Sequence, residues 1–253
     1  MEQIKGPLSI LIVGDSHGNW RFFNQVIDIA IDNEIDLVIQ VGDFGFWPEK
    51  RDEAMRPFPD PVDGFAALVN RRARNNSLPV WVVRGNHDWR VEAELYPGNM
   101  DLTPGLHYIR DGSRVKLSEA IFLFTGGAVS VDQQARTEGL SWWPDEIVSM
   151  ADILSSIEGG VCDVWITHDS VTIPPMKRPL SFGPKVDMEV SIQKQRMEAI
   201  FNQVRPRLHI HGHWHCRYTA PTHYGNVIGV SCESQDALML LTIDEHGKVE
   251  VGA

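Results

Sequence analysis

Apolar residues along this chain fall into short dense runs, and most runs stop at a polar cluster. Residues 8–13, 36–41, 80–83, 162–166 and 207–211 have the length and β-branched content of buried parallel strands. Between them the spacing changes to that of helices. Phe22, Phe23, Val26, Ile27 and Ala30 predict a helix capped by Asn19 and running to about residue 33. Phe65, Leu68, Val69 and Ala73 form the stripe of a second helix, which begins near residue 63. A third opens with Pro144, Asp145 and Glu146, turns Ile147, Ala151 and Leu154 inward, and stops at Gly159-Gly160. A fourth spans residues 187–203, with Val190, Met197, Ile200 and Phe201 inside.

Two stretches depart from this alternation. Residues 107–109, 114–117 and 120–125 predict short strands joined by turns at Asp111-Gly112 and Ser118-Glu119, forming an antiparallel edge. Residues 226–231, 237–243 and 248–251 predict a closing β-meander with its turn at Glu245-His246-Gly247. Two proline-rich loops, residues 44–61 and 170–185, interrupt the pattern, and long irregular loops of this kind often serve as lids.

Composition narrows the class. With 43% hydrophobic and 23% charged residues over 253 positions, the chain reads as one soluble domain, residues 1–253. A formal charge of −11 argues against an extended nucleic-acid or acidic-membrane surface, so an anionic substrate needs local positive charge. The arginines Arg71, Arg72 and Arg74 are expected to form a solvated helix end rather than a substrate site. Three cysteines without CxxC spacing supply neither a disulfide framework nor a thiolate zinc site, which fits a cytoplasmic protein. No apolar run approaches the ~20 residues that cross a bilayer.

The polar clusters carry the chemistry. Strand ends are followed by Asp15 and His17, by Asp43, by Asn86, His87 and Asp88, by His168, and by His213 and His215. In α/β sheets ligands bind at the carboxyl edge of the strands, so these scattered residues are expected to converge. Burying so many polar groups unpaired would be prohibitive, and a shared partner resolves the cost. Carboxylate, amide and imidazole donors without thiolate suit manganese, iron, zinc, nickel or cobalt without selecting among them. Counting Asp15, His17, Asn86, His168, His213 and His215 as terminal ligands leaves Asp43 as a bridge between two ions. Two such ions roughly 3.5 to 4 Å apart can activate a bridging hydroxide and clamp both oxygens of a displacement at phosphorus. His87 then protonates or hydrogen-bonds the leaving oxygen, with Asp88 expected to fix its orientation and tautomer. No G-x-S-x-G elbow supports a nucleophilic serine instead. His209 and His211 share one strand face and are expected to support the site rather than ligate.

Asp15-Ser16-His17, Gly42-Asp43, Gly85-Asn86-His87-Asp88, His168 and Gly212-His213-Trp214-His215 together resemble the signature of the calcineurin-like metallophosphoesterase superfamily. The resemblance implies an α/β fold, a four-layer αββα sandwich of two mixed β-sheets with a dinuclear metal site at the sheet edge. It assigns Asp15, His17, Asp43 and His215 to one ion, and Asp43, Asn86, His168 and His213 to the other. It also matches His87 to the family's catalytic histidine beyond the metal ligands.

Within the superfamily, Ser/Thr protein phosphatases extend the second motif to G-D-x-x-D-R-G. Here Phe46 and Trp47 stand at the Asp-Arg positions, although Arg84 precedes Gly85-Asn86-His87 as it does in those enzymes. The chain looks more like small bacterial and phage members, including those resembling class III cyclic-nucleotide phosphodiesterases. That resemblance implies a small phosphoester substrate, with phosphodiesters such as cyclic nucleotides ahead of monoesters, and manganese as the favoured metal. Trp47, Trp142, Trp143 and Trp214 are candidates to stack on a base, and Arg136 and Lys177 are candidate phosphate contacts. The competing readings are a Ser/Thr-phosphatase-like monoesterase and a noncatalytic scaffold that uses the same fold.

Overall fold

The computed structural model describes residues 2–47, 64–98, 100–171 and 181–252. Thirteen strands and five α-helices follow one another in these residues. The strands are β1 (Glu2–Ile4), β2 (Leu8–Val13), β3 (Leu37–Gln40), β4 (Pro79–Val82), β5 (Gly105–Tyr108), β6 (Arg114–Leu117), β7 (Ala120–Thr125), β8 (Val164–Thr167), β9 (Leu208–His211), β10 (Tyr218–Pro221), β11 (Asn226–Gly229), β12 (Leu238–Ile243) and β13 (Val249–Val251). The helices are α1 (Trp20–Asp32), α2 (Phe65–Asn75), α3 (Arg90–Ala93), α4 (Met150–Glu158) and α5 (Pro184–Val204).

The strands form two mixed sheets, ordered β13-β12-β2-β3-β4-β5 and β1-β6-β7-β8-β9-β11-β10. Side-chain alternation explains why the sheets stack. Ile10, Ile12, Ile39 and Trp81 of one sheet meet Phe122, Phe124, Ile166 and Ile210 of the other in a central core. The intervening residues face outward: Leu11, Val13, Val38 and Val82 pack against α1 and α2, while Leu123 and Trp165 pack among side chains of α4 and α5. The result is the four-layer αββα sandwich, with both faces of each sheet covered.

Strand positions followed the apolar runs closely, but their sheet membership did not. The residues expected to form one antiparallel edge divide between the sheets. β5 extends the first sheet in parallel beside β4, and only β6 and β7 pair antiparallel, with β7 inside the second sheet. The closing meander divides too: β11 runs parallel to β9, whereas β12 crosses to pair antiparallel with β2. Local patterning marks where a strand is, and pairing partners are chosen by packing across the whole fold.

The third helix also starts later than Pro144. Ser149 and Asp152 cap it reciprocally, and Ile153 and Ser156 face inward while Ala151 and Leu154 are not buried. Asn19 caps α1 as expected, accepting from the Phe22 amide at 3.2 Å. On α2, Arg72 pairs with Asn24 and Asp28 of α1, away from the strand ends. Among the described residues no helix is long and apolar enough to cross a membrane.

Candidate metal centre

All five polar clusters emerge at one edge of the sandwich, from adjacent strands β2, β3 and β4 of one sheet and β8 and β9 of the other. Two groups of donors result. Ligand atoms of Asp15, His17, Asp43 and His215 lie within 4.8 Å of one another, as do those of Asp43, His168 and His213, so Asp43 belongs to both groups. Its Oδ2 is 3.5 Å from His17 Nε2, and its Oδ1 is 3.3 Å from His168 Nε2. Asn86 Oδ1 stands 3.0 Å from the same His168 nitrogen, which places the amide oxygen in the second group.

Backbone geometry makes this convergence possible at a cost. His17, Asp43, His213 and His215 all have positive φ, between 42° and 65°. Side-chain-bearing residues resist that region, and strain of this kind collects at functional sites. Two glycines allow the close approach. A Cβ on Gly42 would fall on the His168 ring, and one on Gly85 would fall on the Asp43 carboxylate.

The donors are oriented for cations. His168 Nδ1 donates to the Val41 carbonyl at 2.8 Å, which leaves the Nε2 lone pair facing the cluster. His17 presents Nδ1 to Glu233 at 3.3 Å, and Glu233 is itself held by Asn19 at 2.8 Å. Electrostatics agree. Burial alone would raise Asp43, but the facing His168 and His87 hold it well below the usual carboxylate range. Burial would lower His168, yet Asp43 lifts it to about 9, and the bond to Asp15 lifts His215 to about 10. A field that favours imidazolium favours any cation. The donor set, its convergence and its field therefore fit two divalent ions.

His87 lies beside both groups. Its Nε2 is 3.7 Å from Asp43 Oδ2 and accepts from Arg136 Nη2 at 3.1 Å. Burial, reinforced by Arg136, pushes it down to about 4, so its imidazole is neutral. The expected contact with Asp88 is not formed. The Asp88 carboxylate accepts from the backbone amides of Phe44, Gly45, Phe46 and Gly85 at 2.8 to 3.1 Å, which fills it. Asp88 therefore pins the loops carrying Asp43 and Asn86 together, and it does not orient the His87 ring.

Arg136 reaches the site from outside the motifs, fixed by Asp132 at 2.7 and 2.6 Å and by the Ser141 carbonyl at 3.1 Å. Trp214 adjoins His213 at 5.0 Å between ring centroids, but its indole N–H donates to buried Asp169 at 2.9 Å and Lys194 covers its ring. Trp47 and Trp143 are buried, so neither offers a face to a base, and Trp47 instead donates to the His87 carbonyl at 2.8 Å. Lys185 stands over the Trp142 ring, 5.9 Å from its centroid. Lys177 lies outside the described residues. Arg84, which precedes Gly85-Asn86-His87 as in protein phosphatases, is buried and donates to the Asp145 and Glu146 carbonyls at 3.1 and 3.0 Å. It is a strut behind the site and no grip for phosphate.

Three contributors lie outside the motifs: Glu233, Ser130 and Glu146. Glu233 follows β11 much as Asp15 follows β2, so the strand-end rule would have found it. Ser130 and Glu146 lie behind Asn86; burial pushes the Glu146 carboxyl up to about 7, against the bonds it receives from Ser130.

An αββα sandwich with paired donor groups around one carboxylate defines the metallophosphoesterase class of architecture. The chain belongs to the calcineurin-like phosphoesterase family, whose model matches residues 8–217. No curated protein matches it. Solved structures share the fold at low identity. TT1561 of Thermus thermophilus is 14% identical, with a TM-score of 0.56 over 97% of this chain and 98% of that one. GAP50, the anchor in the inner membrane complex of Plasmodium, is 13% identical, with a TM-score of 0.55 over 98% and 84%. A putative 5'-nucleotidase from Staphylococcus aureus is 13% identical, with a TM-score of 0.50 over 98% of this chain and 53% of that one.

Proposed function

We propose that this protein hydrolyses small phosphodiesters, with cyclic nucleotides as the leading substrate class, using two divalent ions. Asp15, His17, Asp43 and His215 hold one, and Asp43, Asn86, His168 and His213 hold the other. The observation that carries this reading is the sharing of buried Asp43 by two donor groups, with His87 and Arg136 alongside. Bound there, such ions supply Lewis-acid charge and activate water for attack at phosphorus.

The chain's own groups supply the rest. Arg136, pre-positioned by Asp132 and Ser141, binds a non-bridging phosphate oxygen. In doing so it draws its guanidinium away from His87 Nε2; the neutral imidazole, whose Nδ1 has no partner, can then carry its single proton on Nε2, where it faces the leaving oxygen as hydrogen-bond and proton donor. The Trp47 bond to the His87 carbonyl fixes the backbone from which that imidazole projects, and the Asp88 bonds hold the neighbouring loops. Free Cys162, Cys216 and Cys232 fit a reducing compartment.

The test is hydrolysis by metal-stripped protein, with manganese added back, of a chromogenic phosphodiester and the matching monoester. Preference for the diester is expected. Preference for the monoester overturns the diester assignment, and failure on both with two ions bound returns the noncatalytic scaffold.

A further inference from the structure

Behind Asn86 lies a chain of hydrogen bonds that nothing in the motifs encodes. Asn86 Nδ2 donates to Ser130 Oγ at 3.0 Å, and Ser130 Oγ donates to Glu146 Oε2 at 2.6 Å. Glu146 Oε1 accepts from the Ser130 amide at 2.7 Å. The three side chains are buried. Their frame closes on itself: Arg84 holds the Glu146 carbonyl at 3.0 Å, the Ala128 amide holds it at 3.1 Å, and Arg84 adjoins Gly85-Asn86 in sequence.

The two ends of an asparagine amide have nearly the same shape and opposite chemistry. Only the oxygen has a lone pair to give an ion, so an Asn ligand works in one of its two orientations. We infer that Glu146 is a positioning residue which, through Ser130, sets the Asn86 amide with its oxygen toward the second ion. An ionised carboxylate can only accept, so it commits the Ser130 hydroxyl hydrogen to itself. Ser130 Oγ, with no hydrogen left to give, then selects the Asn86 NH2 group, and Oδ1 turns to the His168 side. The inference rests on the two-ion reading proposed above.

Glu146→Gln tests direction without changing shape. Its Oε1 keeps the Ser130 amide, while its NH2 must donate to Ser130 Oγ, so the hydroxyl now donates toward residue 86. That favours the amide oxygen at Ser130 and turns the NH2 toward the ion. Adding Asn86→Asp supplies an acceptor at both ends, so the double variant runs the relay in reverse and still presents an oxygen to the ion.

Manganese is titrated into metal-stripped protein, with free ion read by electron paramagnetic resonance. The titration is done at pH 8, above the value of about 7 to which burial pushes Glu146. The expected result is two ions in the parent, a loss of about 10- to 100-fold in affinity for one ion in Glu146→Gln, and recovery in Asn86→Asp/Glu146→Gln. Ser130→Ala, which removes the relay without touching Glu146, loses the same ion and serves if Glu146→Gln does not fold. Parent-like affinity in Glu146→Gln or Ser130→Ala overturns the inference while leaving the two-ion reading intact. A Glu146→Gln defect that Asn86→Asp does not repair makes Glu146 a packing residue and overturns it too. A parent that binds fewer than two ions sinks the underlying reading.

Discussion

Four histidines at every second position, His209, His211, His213 and His215, divide into two pairs with opposite lives. The first pair lies within β9 on the face turned from the central core. His209 stacks on Trp165 at 4.5 Å and bonds Thr167 at 2.8 Å, and His211 bonds the Gly212 carbonyl at 2.8 Å. Burial drives His209 well below its ordinary 6.5 and pushes His211 down to about 4. The second pair follows the strand, with φ of 65° and 50°, and turns back to the Asp15 side. The His213 amide bonds the Asp15 carboxylate at 3.1 Å, and His215 Nε2 meets it at 2.9 Å. Residue type and spacing are the same in both pairs. The strand end separates them, because beyond it the backbone is free to aim side chains at a carboxylate carried on another strand.

The largest effect should come from removing what the turn histidines converge on. Asp43→Asn is expected to lose both ions and to lower turnover by more than about 100-fold, beyond what an outer-shell change costs. His87→Ala, at the same edge but outside both donor groups, should keep both ions and lose about 10²- to 10⁴-fold in rate. Metal content by mass spectrometry beside rates distinguishes the two. Unchanged turnover in His87→Ala would remove its role, and full metal in Asp43→Asn would break the shared-carboxylate geometry.

A smaller effect is expected from Glu233→Gln. The substituted amide keeps the shape but loses the charge that faces His17 Nδ1 and lowers the energy of its protonated nitrogen. Carboxylates behind a ligating imidazole raise its basicity, and losing one typically costs about 10-fold or more in metal affinity. The loss should fall on the ion held with Asp15 and His215, leaving the second ion unaffected. Equal weakening of both ions would show that the two donor groups are not separable.

Much of this arrangement was legible beforehand because each cluster follows an apolar run, and a strand end is a local event. Asp15, His17, Asp43, Asn86, His168, His213 and His215 could all be picked out on that rule. Sheet membership could not, since β5 and β11 choose their neighbours by packing against surfaces far away in sequence. Asp88 misled because adjacency to His87 looks like pairing, whereas the turn at Gly85 points its carboxylate at four backbone amides instead. Ser130 and Glu146 carry no motif and reach the site by way of Asn86, 44 positions from Ser130 in sequence. The left-handed backbone of four candidate ligands is likewise a tertiary outcome, imposed by convergence on residues that would avoid it locally.

The smallest expected effect concerns the strand pair and leaves the metals alone. His209 is neutral when folded and titrates near its ordinary 6.5 when unfolded, so below that pH the unfolded chain binds the extra proton. Stability attributable to it is complete above pH 6.5 and falls by about 1.4 kcal/mol per pH unit beneath. Phe at this position keeps the stacking on Trp165 and removes the titration. Thr167 still donates to the Asp169 carbonyl at 2.6 Å, so the substitution costs about 1 kcal/mol for one lost bond at every pH. Urea unfolding of His209→Phe and parent in chelator, from pH 7.5 down to about 5.5, should therefore give curves that approach or cross as the pH falls. Manganese content and turnover measured at pH 8 should match the parent. Parallel pH profiles would mean that His209 is protonated in the fold, and a loss of bound ion would erase the boundary that the strand end draws between the two pairs.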